Sequence, residues 1–142
     1  MLVFPFYVLL KFLAYSGWCY LGLRALHQQS SIGKGVGFGS VRLGLGMLFG
    51  VAIFFIGGSL HLNAPAHPWI LYLLIYVPVR YVEWSIMAAL LGVKGGEINR
   101  IGDGKTQRWI LGGIVVSHLA DIPLILQFAG TVDFLPVGRF LC

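Results

Sequence analysis

The sequence predicts an all-α integral membrane protein: four transmembrane helices in a compact antiparallel bundle around a buried polar layer. Three observations lead there. Of the 142 residues 58% are hydrophobic and 11% charged, with a mean hydropathy of +0.85, whereas soluble domains are about a quarter charged. The apolar residues fall in four blocks long enough to cross a hydrocarbon core of roughly 30 Å as helices. Three of those blocks carry charged residues near their middles, which cost at least ~2.5–3.5 kcal/mol each unless paired or wet. The whole chain, 1–142, reads as one membrane domain.

The first span is expected at residues 3–26. Its start, MLVFPFYVLLKFLAY, has no basic segment ahead of the apolar run, so it reads as a retained helix and not as a cleavable signal. Lys11, Tyr15, Trp18 and Gly22 share one face by helical spacing. Lys11 lies too deep to face lipid comfortably, so that face is expected to look into the protein; the alternative is that Lys11 snorkels to the headgroups.

Residues 27–41 are expected to form a flexible or extended loop. Gly33, Gly35, Gly37 and Gly39 alternate there, but the pattern is not the GxxxxGK[ST] of a phosphate loop and no strand precedes it. The second span, 42–60, contains Gly46-x-x-x-Gly50, a small-residue pattern that lets helices approach closely. It has no charge in its middle and is expected to pack behind the others. The connection HLNAPAHP holds His61 and His67, candidates for binding haem or metal. Two histidines fall short of a zinc site, so they read first as interfacial helix-end residues, and no metal is expected.

The third span is the stretch WILYLLIYVPVRYVEWSIMAALLG, residues 69–92, with Pro68 placed to start it. Tyr76, Arg80, Glu83 and Met87 lie on one face, and Pro78 is expected to kink the helix. Residues 93–108 form the most polar loop, with Asp103-Gly104 as a turn. The fourth span, 109–129, carries His118 and Asp121 near its middle. The tail is short, and its Phe134, Leu135, Phe140 and Leu141 are expected on the membrane surface.

Helical rise places Lys11, Arg80, Glu83, His118 and Asp121 within a slab about 8 Å thick. The expected pairs are Glu83 with His118, and Arg80 or Lys11 with Asp121. Breaking such a cluster typically costs ~3–5 kcal/mol. The first reading of this layer is structural. A proton or ion relay is the second. In a third, catalysis on a lipid or lipid-linked substrate, Glu83, His118 or Asp121 would act with Arg80 as an anion clamp, and haem or quinone binding is a fourth.

Loops 27–41 and 93–108 are basic, whereas the loop between them has no Lys or Arg. The positive-inside rule puts both basic loops in the cytoplasm and both termini outside, in a bacterial inner (cytoplasmic) membrane. The net charge of +5 is expected to serve topology and lipid headgroups and not nucleic acid. Cys19 and Cys142 make no disulfide framework. With no complete catalytic motif and no cofactor indicated, the leading expectation is a small non-catalytic subunit or scaffold among other membrane chains.

Arg80-Tyr81-Val82-Glu83-Trp84 resembles the Arg-Tyr-x-Asp-Trp segment in the third helix of microbial rhodopsins, where the carboxylate is a counterion to the retinal Schiff base. That family has seven helices and a lysine in the last. Here there are four spans and the last has no lysine. What the five residues carry over is an arginine and a carboxylate one turn apart inside a membrane core.

Overall fold

A computed structural model describes residues 3–25, 31–59, 68–92 and 103–128. They form four helices, α1 (Val3–Ala25), α2 (Ile32–Ser59), α3 (Pro68–Gly92) and α4 (Gly104–Phe128). Three helices are long and apolar enough to cross a membrane, over Pro5–Ala25, Ile32–Ile53 and Leu73–Leu91. His61, His67 and the tail lie outside the described residues.

Two helices start earlier than the sequence suggests. The glycine-alternating stretch expected as a loop is the first part of α2. Ser31 begins it as an N-cap, its Oγ accepting a hydrogen bond from the Lys34 N–H at 3.2 Å. Glycine is a poor helix former, and tertiary packing overrides that here. A Cβ on Gly35 would come within 2.9 Å of the Tyr20 Cβ, and one on Gly39 within 2.7 Å of the Ser16 Cα. The spacing therefore brings the α2 backbone against α1, as small residues do between membrane helices. Likewise α4 starts at Gly104, within the expected loop, and the Asp103 carbonyl accepts its first helical hydrogen bond, from Gln107 N–H at 2.9 Å. α3 starts at Pro68, as its fixed φ allows, and continues through Pro78.

Side-chain pairings fix the directions. Tyr20 faces Gly35 while Ser16 faces Gly39, so α1 and α2 are antiparallel. Gly22 meets Trp109 while Lys11 meets Asp121, so α1 and α4 are antiparallel. Trp84 meets Ser117 while Arg80 meets Asp121, and Glu83 meets Arg42 while Tyr76 packs on Phe49 and Ile53; α3 thus runs against both α4 and α2. The result is an up-down-up-down ring, the arrangement short connections favour.

Among the described residues the bundle buries seven polar or charged side chains within a largely apolar and aromatic core, and its outer surface is apolar. Its outer surface exposes Leu9 and Leu13 on α1, Leu48 and Phe55 on α2, Leu74 and Val82 on α3, and Leu111, Val115, Leu119 and Ile122 on α4. Inside, aromatic rings interlock: Trp84 stands edge-on to Tyr15 (centroids 5.9 Å apart, 85°) and to Trp109 (5.2 Å, 89°). Gly113 makes room for Trp84, since a Cβ there would fall 2.5 Å from the indole.

Candidate functional site: a buried ionic core

Each helix contributes at least one buried charged side chain: Lys11 from α1, Arg42 from α2, Arg80 and Glu83 from α3, and Asp121 from α4. They form two clusters stacked along the bundle. Lys11 precedes Tyr15 by four residues and Arg80 precedes Glu83 by three, which puts the clusters about one helical turn, roughly 5 Å, apart.

Asp121 centres the first cluster. Its Oδ1 accepts the Tyr7 hydroxyl at 2.6 Å and lies 2.9 Å from Lys11 Nζ. Its Oδ2 accepts Arg80 Nη2. One carboxylate on α4 is thus held by donors from α1 and α3. Lys11 Nζ also lies 4.9 Å from the Tyr7 ring centroid, within cation–π range. Lys11 is fully buried, which overturns the snorkelling alternative.

The second cluster is the pair Arg42–Glu83, with Arg42 Nη2 2.5 Å from Glu83 Oε2 and both side chains fully buried. The Arg42 guanidinium carbon lies 4.7 Å from the Tyr15 ring and 5.0 Å from that of Trp84. Trp84 in turn donates its indole N–H to Ser117 Oγ at 3.1 Å. Arginine suits such a position because its planar, weakly hydrated cation both stacks on rings and pairs with carboxylates.

Set beside the sequence, Lys11, Arg80 and Asp121 come together and Glu83 joins a different partner. Glu83 was expected on His118; it is paired by Arg42. His118 is half-buried and donates Nδ1–H to the Ile114 carbonyl of its own helix at 2.8 Å. α2 was expected to pack behind the polar layer without a central charge, and instead it supplies Arg42. Arg42 looked like the residue flanking a loop only because the glycine run ahead of it looked like one. Once that run is helical, Arg42 falls mid-span. Tyr7 was also missed, although it lies one turn before Lys11, on the same face. Gly46 and Gly50 are both buried.

Trp18 and Trp109 form a third feature that spacing did not reveal. Trp18 Nε1–H donates to the Trp109 carbonyl at 3.1 Å, and Trp109 Nε1–H donates to the Trp18 carbonyl at 3.3 Å. Among the described residues no three of His, Cys, Asp and Glu cluster as a metal site.

Fold and core together define a helical bundle with a charged interior and an apolar exterior, of the kind that suits a bilayer. No protein-family model, no curated protein and no solved structure matches the chain.

Proposed function

We propose that this is a four-span membrane protein acting as a small non-catalytic subunit or scaffold among other membrane chains, its helices held in register by the buried ionic core. The observation that carries the structural role is the use made of the charges. Lys11, Arg80, Glu83 and Asp121 are engaged with partners on other helices, so the core ties all four helices together. Such a tie is costly to break and gives a bundle one register.

A fourth span is part of this reading. α4 is 25 residues long. Its polar residues Ser117 and Asp121 are buried, while its exposed stripe Leu111, Val115, Leu119 and Ile122 is wholly apolar. One end of the bundle supports the orientation proposed. Arg24 closes α1, and Lys34, Lys105 and Arg108 lie in the first turns of α2 and α4; all four are exposed. The antiparallel packing gathers them at one end, which the positive-inside rule assigns to the cytoplasm and leaves both termini outside. A bacterial inner membrane is the expected setting.

Association with other chains is supported by the outer face of α2. Gly37 and Gly44 are exposed there, and a Cβ on either would meet nothing within 4 Å. They lie beside exposed Val36, Met47, Leu48 and Val51. Open glycines on an apolar helix face permit close approach of another helix.

Gentle extraction of the untagged protein from its native membrane, followed by mass measurement of the particle that carries it, tests the proposal. A particle containing other chains is the expected result. A particle of one or a few copies of this chain alone removes the subunit reading. A second reading, proton or ion movement, draws on the chain of Tyr7, Asp121, Lys11 and Arg80 in direct contact; ionisable groups so placed in membranes commonly serve as relays.

A further inference from the structure

One end of the bundle gathers exposed positive charge. Arg24 lies one residue from the end of α1, and Lys105 and Arg108 lie in the first turns of α4. All three are exposed, and none makes an ion pair among the described residues. Exposed Lys34 shares that end, and Asp103 is the one carboxylate there among the described residues. The surplus of positive charge is therefore local and faces outward. Gly22 meets Trp109 and Trp18 meets Gly112 across the antiparallel pair of helices, which sets Arg24 level with residues 105–108. Beneath Arg24, exposed Leu21, Gly17 and Leu13 continue its face down α1. Beneath Arg108, exposed Leu111, Val115 and Leu119 continue its face down α4. Two neighbouring helices thus each present an apolar stripe topped by an arginine at one level.

We propose that this end of the α1–α4 pair seats an anionic phospholipid, with Arg24, Lys105 and Arg108 taking its phosphodiester and the two stripes taking its acyl chains. Guanidinium groups suit a phosphate because their planar N–H fork pairs with two of its oxygens. The net positive balance of the seat selects a lipid of net negative charge over a zwitterionic one, whose own cation it repels. The apolar stripes below the cations select a lipid over free phosphate, which gains nothing from them. The proposal rests on the reading of α1 and α4 as neighbouring spans. It is independent of the subunit role and of which side of the membrane the basic end faces.

The test uses the full chain in phosphatidylcholine nanodiscs, with Trp69→Phe to remove the tryptophan that starts α3 at the opposite end. Phosphatidylglycerol or phosphatidylcholine, each brominated on its acyl chains, replaces part of the lipid, and quenching of tryptophan fluorescence is read. Trp18, partly buried on α1 below Arg24, is the reporter. The expected result is a preference of about tenfold for the brominated phosphatidylglycerol, weakening as salt rises. Arg24→Gln and Arg108→Gln, both at exposed positions, should each cut that preference about threefold, and together should remove it. Asp103→Asn, which takes away the carboxylate at that end, should raise it. Inorganic phosphate exchanged for chloride at constant ionic strength should leave the preference in place; its loss would make this a free-phosphate site and overturn the lipid assignment. Equal quenching by the two lipids, or a preference unchanged in the double arginine variant, overturns the seat and leaves the spans standing. No quenching by either lipid overturns the span reading itself, and the seat with it.

Discussion

Trp18 on α1 and Trp109 on α4 each donate an indole N–H to the other's backbone carbonyl, at 3.1 and 3.3 Å. Each ring also lies against a glycine of the facing helix. A Cβ on Gly112 would fall 2.3 Å from the Trp18 ring, and one on Gly22 2.4 Å from Trp109 Nε1. The clasp is therefore reciprocal in hydrogen bonds and in packing, and it fixes α1 against α4 at the end opposite the Asp121 cluster.

Gly22→Ala and Gly112→Ala should each destabilise the bundle by ~1–3 kcal/mol, the usual cost of forcing an extra methyl into a filled space. Gly37→Ala and Gly44→Ala, where a Cβ meets nothing within 4 Å, should be neutral for folding, within about 0.5 kcal/mol. Reversible unfolding in mixed micelles distinguishes the two sets. Equal effects at all four positions would contradict the packing described.

Removing Asp121 takes an ionic partner from both Lys11 and Arg80. Asp121→Ala should cost ~3–5 kcal/mol, as breaking buried ion pairs does. Tyr7→Phe removes one hydrogen bond to a charged group and should cost about 1.5–3 kcal/mol. Asp103→Asn, at an exposed position, should change stability by less than about 0.5 kcal/mol. The order Asp121, Tyr7, Asp103 is the measurable outcome in denaturant titrations.

Arg42 and Glu83 should be strongly coupled. Arg42→Met and Glu83→Leu should each destabilise by ~3–5 kcal/mol, because each leaves its partner buried and uncompensated. The double variant should be more stable than their sum by at least about 1.5 kcal/mol. Additive effects in a double-mutant cycle would mean that the pair contributes little as a pair.

Much of this was legible in the sequence, and the omissions have physical causes. Four long apolar blocks and the face Tyr76, Arg80, Glu83 and Met87 follow from hydropathy and helical period, and all four of those residues are buried. The start of α2 was not legible, because glycine propensity reads as loop and only the close approach to Ser16 and Tyr20 makes the stretch helical. That one misplacement hid Arg42, and with it the partner of Glu83. The Trp18–Trp109 clasp joins residues 91 apart in sequence, and no local pattern encodes such a contact.

Topology is open to direct measurement. Arg24, Lys34, Lys105 and Arg108 share one end of the bundle, and the orientation proposed above puts that end in the cytoplasm. A reporter active only in the cytoplasm, fused after Cys142, should be silent, and one active only outside should be bright. The reverse pattern would invert the orientation.

In the proposed function the charged core holds the helices together and carries no proton current. Proton flux into liposomes reconstituted with the purified protein tests this most directly. Flux equal to that of protein-free liposomes under an imposed potential is the expected result. Flux above that level, lost in a folded Asp121→Asn variant, would contradict it and make the core a proton path.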